Sequence, residues 1–256
     1  MVDSHCHLQH ERFDGDLQAV LARAVEAGIE RIMVPGWDLA SSEAALDLAR
    51  RHAPLVQAAV GVHPHHAGDT HEPSWRTLEG LIADPHCSAV GEIGLDYHRN
   101  LSAPDVQRDV FVRQLDLAAR LGLPVAVHDR EAHADVTAAL LAWPGPGGTE
   151  ARGVLHAFSG DAAMAMHLAA AGFLISFALP VVFRSAEGAR AAAMALPAAA
   201  ILVETDSPYL GPDRESRNEP TTVLRVAAEL ARLRGCTPEE VAAAAHSSFR
   251  QLLAVA

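Results

Sequence analysis

The feature that most constrains this chain is a rhythm. Short β-branched, apolar runs recur at 1–7, 29–34, 56–63, 89–95, 124–128, 153–156, 173–177 and 201–206. The segments between them place apolar residues at helical spacing, as in Leu17, Val20, Leu21, Ala24 and Val25, or Phe111, Leu115, Ala118 and Leu121. Strands that alternate with helices imply parallel crossovers, and 256 residues shared among eight repeats leave about 32 each, the length of one strand–helix step. The expected fold class is α/β, a (β/α)8 TIM-type barrel, with a doubly wound open sheet as the alternative that shares the same alternation. No linker divides the chain: the loosest stretch, 143–149, reads as a loop before a strand, so residues 1–256 are expected to form one domain. The alanine-rich stretches at 191–200 and 241–245 keep good helix propensity and read as helices.

Composition narrows the chemistry. The chain contains no lysine, so its 20 basic residues are all arginine, against 32 acids and a net charge of -12. A lysine Schiff base, a pyridoxal phosphate anchor, a P-loop and a carbamylated lysine bridging two metals are all excluded, since each needs the ε-amine. The acidic balance removes the usual electrostatic footprint of duplex binding. Three scattered cysteines, Cys6, Cys87 and Cys236, are too few for a disulfide framework, and no uncharged apolar run is long enough to span a bilayer. A cytoplasmic protein with no membrane partner is the expectation.

The polar residues fall at strand ends. His5 and His7 share a strand face, with Cys6 on the other. Glu92, His128, His156 and Asp206 end later apolar runs. In a barrel these ends converge on one mouth, where catalytic groups are found. Stranding so many polar groups on apolar strands would cost a few kcal/mol each, roughly, which favours metal ligation over a structural origin. Six donors exceed one tetrahedral site but suit two ions about 3.5–4 Å apart that share a carboxylate. With no lysine to bridge, Glu92 takes that position, on a strand between the two groups of histidines.

The stretches Asp3-Ser-His-Cys-His-Leu, Gly61-Val-His-Pro-His, Gly91-Glu-Ile-Gly-Leu-Asp-Tyr, Pro124-Val-Ala-Val-His-Asp-Arg, His156-Ala-Phe-Ser-Gly, Glu204-Thr-Asp-Ser-Pro-Tyr-Leu and Arg217-Asn-Glu-Pro together resemble the TatD family of metal-dependent hydrolases along the whole chain. The resemblance implies a TIM-type barrel, a metal pair and metal-dependent hydrolysis, chiefly deoxyribonuclease activity. It implies that His5, His7 and Asp206 hold one ion, that His128 and His156 hold the other, and that Glu92 is shared. It also places His63 near the substrate, for phosphate contact or leaving-group protonation, and the Arg217–Pro220 motif near the site.

Around that set, Glu204 shares a face with Asp206 and reads equally as a proton acceptor and as a strut. With Glu92, Asp206 and His63 it completes the residues expected to serve the reaction. Arg130, two after His128, is a candidate for holding a phosphate, with a rim salt bridge to Asp129 or Glu131 as the alternative. Tyr97 and Tyr209 are candidates for stacking on a base. Ser159-Gly160 could offer backbone N–H groups to an anion at a helix start, and Asn218 could cap the helix that follows it. Ala157, the glycine-poor stretch 176–184 with Arg184 as its only cation, Ser248 and Leu253 depart from the family pattern and bear on substrate preference.

The expected chemistry is hydrolysis by a metal-activated water with two divalent ions, Zn2+ or Mn2+ favoured over Mg2+ by the histidine-rich donors. Single-stranded DNA or a DNA 3′ end is the expected substrate, since only a few nucleotides need enter an acidic mouth. The alternatives are an acyl or ester hydrolase, including a D-aminoacyl-tRNA deacylase acting on tRNA, a small-molecule phosphoesterase, and last a non-catalytic metal-binding interaction protein.

Overall fold

A computed structural model describes residues 1–147, 151–213 and 216–253; Gly148 and Thr149 of the expected loop lie outside this set. The elements run β1 (Val2–Asp3), α1 (Leu17–Glu26), β2 (Arg31–Pro35), α2 (Leu39–His52), β3 (Val56–Val60), α3 (Glu72–Ile82), β4 (Cys87–Asp96), α4 (Pro104–Leu121), β5 (Val125–Arg130), α5 (His133–Ala142), β6 (Gly153–Leu155), α6 (Ala162–Ala170), β7 (Phe173–Phe177), α7 (Glu187–Ala195), β8 (Ile201–Val203), α8 (Val223–Arg234) and α9 (Pro238–Leu253). Each strand pairs in parallel with the next, β1 through β8 in order. The two edge strands are joined by backbone bonds from Ser4 N–H to Val203, Asp206 N–H to His5 and His7 N–H to Ser207. The result is the (β/α)8 barrel, not the open sheet.

The helical periodicities become buried stripes. Leu46 on α2, Leu78 on α3, Phe111 on α4, Leu168 on α6, Leu230 on α8 and Phe249 on α9 are almost wholly buried in one continuous core. Each such side chain contributes about 1.5–3 kcal/mol. Local signals set the ends. Asp38 and Ser41 form a reciprocal capping box on α2, and α4 opens on Pro104 and stops at Gly122 in the left-handed region.

Two expectations need correction. The alanine-rich stretch 191–200 is not one helix: α7 ends at Ala195 because Pro197 forces Leu196 into extended backbone (ψ 144°), and Ala198–Ala200 forms a 3-10 turn leading into β8. The first and last strands are shorter than their apolar runs. Ladder pairing stops at Asp3 and Val203, and Asp206 turns with φ 55°. His5, His7 and Asp206 therefore sit on the segments just beyond the strands, which carry them across the barrel mouth.

Glycine is required where β4 and β5 touch. Gly94 has φ +137°, and a Cβ there would lie 2.0 Å from the carbonyl oxygen of its register partner His128. No helix among the described residues is long and apolar enough to cross a membrane.

Candidate metal centre at the barrel mouth

All six sequence-derived ligand candidates meet at one point, with His63 beside them. In the first group His5 Nε2 lies 3.2 Å from His7 Nε2, 3.3 Å from Glu92 Oε2 and 3.7 Å from Asp206 Oδ1. His7 Nε2 lies 3.4 Å from the same Asp206 oxygen. In the second group Glu92 Oε1 lies 2.9 Å from His156 Nε2, 3.0 Å from His128 Nδ1 and 3.4 Å from His63 Nε2. Glu92 thus divides its two oxygens between the groups while 3% exposed.

The hydrogen bonds on the far side of each ring fix what faces inward. His7 Nδ1–H donates to the Pro35 carbonyl at 3.2 Å, leaving a lone pair on Nε2. His156 Nδ1–H donates to Glu204 at 3.3 Å, and His128 Nε2–H donates to Asp96 at 3.3 Å. His128 Nδ1 and His156 Nε2 therefore meet at 3.1 Å as two lone-pair donors beside a carboxylate oxygen. Such an arrangement is repulsive unless a proton or a cation sits among the donors, so the residues fit a bound metal. Among the described residues, the buried His5 Nδ1 and Glu204 Oε2 have no hydrogen-bond partner.

The titration behaviour carries the same demand. Burial pushes His156, His128 and His7 toward the neutral form, yet Glu92, Glu204, Asp96 and Asp206 outweigh it and raise all three, His156 well above the usual range. Burial and the nearby His156 charge lower His5, and burial pushes His63 down to about 3. Burial would raise Glu92, but His156, His63 and His5 hold it well below the carboxylate range. These buried histidines and carboxylates are competing for positive charge that two divalent ions would supply.

The remaining candidates separate. Glu204 is fully buried, and its Oε1 accepts the Ala157 N–H (2.7 Å) as well as His156, the geometry of a strut. His63 Nδ1 accepts the His65 N–H at 3.1 Å, which puts its proton on Nε2 toward Glu92. Arg130 is exposed on the rim of a cleft of about 480 Å3 that opens beside His128, His156 and Asp206. Its alternative salt bridges do not form: Asp129 is taken by His133 and Glu131 by His98. Tyr97 is not brought to this cleft. It lies in the turn just past β4, partly buried against the core, and its hydroxyl donates to Asp135 at 2.6 Å.

Ser159 lines the same cleft, and the start of α6 behind it is capped by Asp161, whose carboxylate accepts the Met164 N–H at 2.8 Å. Asn218 caps no helix. It is buried and donates to the Thr205 and Leu210 carbonyls, pinning the loop that carries Asp206, while Arg217 pairs with Asp16 and Glu219.

Sequence reasoning missed four supporting residues. Asp96 is 1% exposed, and its Oδ2 meets His65 (2.8 Å) and His128 (3.3 Å) while Oδ1 accepts the His98 and Arg99 N–H groups. The signal was available, because Asp96 lies four after Glu92 on the same strand face. Gln107 and Gln114, seven apart on the buried face of α4, clamp the backbones of Asp96 and Val62, fixing the strand ends that carry Asp96 and His63. Trp37, just past β2, packs edge-on against His7 with ring centroids 5.4 Å apart.

Eight parallel strands whose C-terminal ends gather two histidine–carboxylate groups around one shared carboxylate define a TIM barrel of the metallohydrolase type. The family model for TatD related DNase matches residues 2–254, and the chain belongs to this family. It is 35% identical over 257 residues to the metal-dependent hydrolase YabD of Bacillus subtilis, covering 100% of this chain and 99% of that protein. It is 36% identical over 271 residues to the 3'-5' ssDNA/RNA exonuclease TatD of Edwardsiella piscicida, covering both chains fully (100% and 100%). Among solved structures, the TatD homologue YJJV of Escherichia coli superposes with a TM-score of 0.91 at 31% identity, over 100% of this chain and 98% of that one.

Proposed function

We propose that this chain, acting as a single barrel domain over residues 1–256, is a metal-dependent exonuclease that removes nucleotides from the 3′ end of single-stranded DNA or RNA. The observation that carries this reading is the division of the Glu92 oxygens between two donor groups, together with the exonuclease named among its relatives. His5, His7 and Asp206 would hold one divalent ion and His128 and His156 a second, with Glu92 between them; His63 borders the second group. The histidine-rich donors suit Zn2+ or Mn2+. The bound pair supplies positive charge that polarises a water and a phosphoryl oxygen.

The chain's own residues do the rest. Glu204 and Asp96 orient His156 and His128, and the Nε2–H of His63, neutral across the physiological range, is placed to donate to a phosphate oxygen. Asp206, at 14% the most accessible of the carboxylates around the centre, lines the cleft and is positioned to take the proton of the attacking water. Arg130 holds a neighbouring phosphate from the cleft rim. Three thiols, none in a disulfide, suit a reducing cytoplasm.

The test is metal-loaded wild type and Glu92→Gln on 5′-labelled oligonucleotides, with misacylated tRNA and aryl esters as comparison substrates. A ladder shortening stepwise from the 3′ end is expected, reduced about 10^2- to 10^3-fold in the variant. Full activity in Glu92→Gln, or hydrolysis confined to the acyl esters, would overturn it.

A further inference from the structure

The metal chemistry leaves one feature of the mouth unused. Trp75 and Trp143 are buried, at 7% and 4%, but Trp37 is only partly buried and stands beside the first donor group. Its backbone is fixed, with its N–H donating to Ser41 Oγ at 2.8 Å and its carbonyl accepting the His63 N–H at 2.9 Å. Its ring lies 5.4 Å from His7 and 6.1 Å from His10. Tyr209, three residues past Asp206, is 46% exposed and meets the same two rings edge-on, at 5.8 and 5.5 Å. The backbone N–H of Tyr209 is held by the Asp206 carbonyl at 2.9 Å. Two aromatic side chains with no ligating role are thus presented to solvent on rigid backbone, within one ring contact of His7.

Charge explains the need for them. A chain of net charge -12 without a lysine has little counterion release to offer a polyanionic strand beyond the centre and Arg130. Base stacking is a further source of affinity, is indifferent to sequence, and requires aromatic faces held in place. We propose that Trp37, Tyr209 and His10 form a base-stacking wall for one nucleotide adjoining the scissile phosphate. The inference rests on the exonuclease reading and adds a recognition site to it.

The experiment is a cycle between base and ring. KM and kcat are measured for wild type, Tyr209→Leu and Tyr209→Phe on oligonucleotides carrying an abasic nucleotide at the last, second-last or third-last position. Removing the base at one of these positions should raise the wild-type KM by about 5- to 150-fold. Tyr209→Leu should give a similar rise on the intact strand and little further rise on that abasic strand, and Tyr209→Phe should restore the wild-type pattern. Equal losses on intact and abasic strands, or no loss at any position, would overturn the wall while leaving the nuclease reading in place. If no oligonucleotide is cleaved, the nuclease reading fails, and tryptophan fluorescence decides the wall separately. A phosphorothioate oligonucleotide should quench wild-type emission, the quench should vanish in Trp37→Phe, and a base-free sugar–phosphate oligomer should not produce it. Absence of the quench overturns the proposal.

Discussion

Replacing Asp96 by Asn separates the two donor groups. Its Oδ1 accepts two backbone N–H groups at 3.0 and 2.8 Å, and Asn retains that acceptor. Its Oδ2, which faces His65 and His128, becomes an NH2 that can no longer receive the His128 Nε2–H. The imidazole proton is then free to move to Nδ1, the atom that faces Glu92 and His156. A hydrogen bond to a charged group contributes about 1.5–3 kcal/mol net, which corresponds to about 10- to 150-fold in affinity. Replacing a partner that orients a metal-bound histidine typically costs about 10–100-fold. Calorimetric titration of metal-stripped protein with Zn2+ should therefore show the His128–His156 class weakened by one to two orders of magnitude, with the His5–His7–Asp206 class unchanged. Stoichiometry after dialysis should fall from two toward one, and excess metal should restore activity. Equal weakening of both classes, or of neither, would refute the assignment of Asp96 to His128.

Arg130→Ala should leave the melting temperature unchanged, because the guanidinium lines the cleft and both neighbouring carboxylates are already paired. It should raise KM for oligonucleotides about tenfold or more, and a thermal shift instead of a KM effect would contradict its role. Gly94→Ala should cost roughly 3 kcal/mol in denaturant unfolding, since a Cβ at φ +137° meets the His128 carbonyl; a loss under about 0.5 kcal/mol would refute the close contact. In chelator, stability should peak near pH 6.5. The folded-state values of His7, His128 and His156 are raised, so their contribution is complete below the usual 6.5 and is lost as pH rises through the folded values. His5 and His63 are lowered, so stability also falls as pH drops below 6.5, and further once Glu92 and Asp206, both lowered from 4.5 and 3.8, take up protons. Metal should abolish the alkaline decline, because ligation displaces those protons, and a melting profile flat in pH would contradict the cluster's electrostatics.

The barrel was legible because it is written in periodicities: eight apolar runs and the helical stripes between them survive in the structure almost run for run. The donor set was legible for the same reason, since a polar residue ending an apolar strand has few structural uses. Direction off the strand was harder to read. Tyr97 was drawn to the mouth by proximity in sequence, although it falls in the turn past β4, where its hydroxyl bonds Asp135. Asp96 lies beyond the apolar stretch that marked β4, so its shared face with Glu92 went unread. Gln107 and Gln114 look like solvent-facing residues until α4 is docked and their amides meet the backbones of Asp96 and Val62. Trp37 sits in the loop between β2 and α2, which periodicity does not describe, and only the three-dimensional neighbourhood of His7 reveals it.

The central claim is that one carboxylate, Glu92, joins two donor groups into a metal pair. Anomalous diffraction from crystals of the Mn2+- or Zn2+-loaded protein tests it directly. Two peaks about 3.5–4 Å apart on either side of the Glu92 carboxylate, one within reach of His5, His7 and Asp206 and the other of His128 and His156, are the predicted result. No peak at the barrel mouth, or a single ion that Glu92 does not touch, would contradict it.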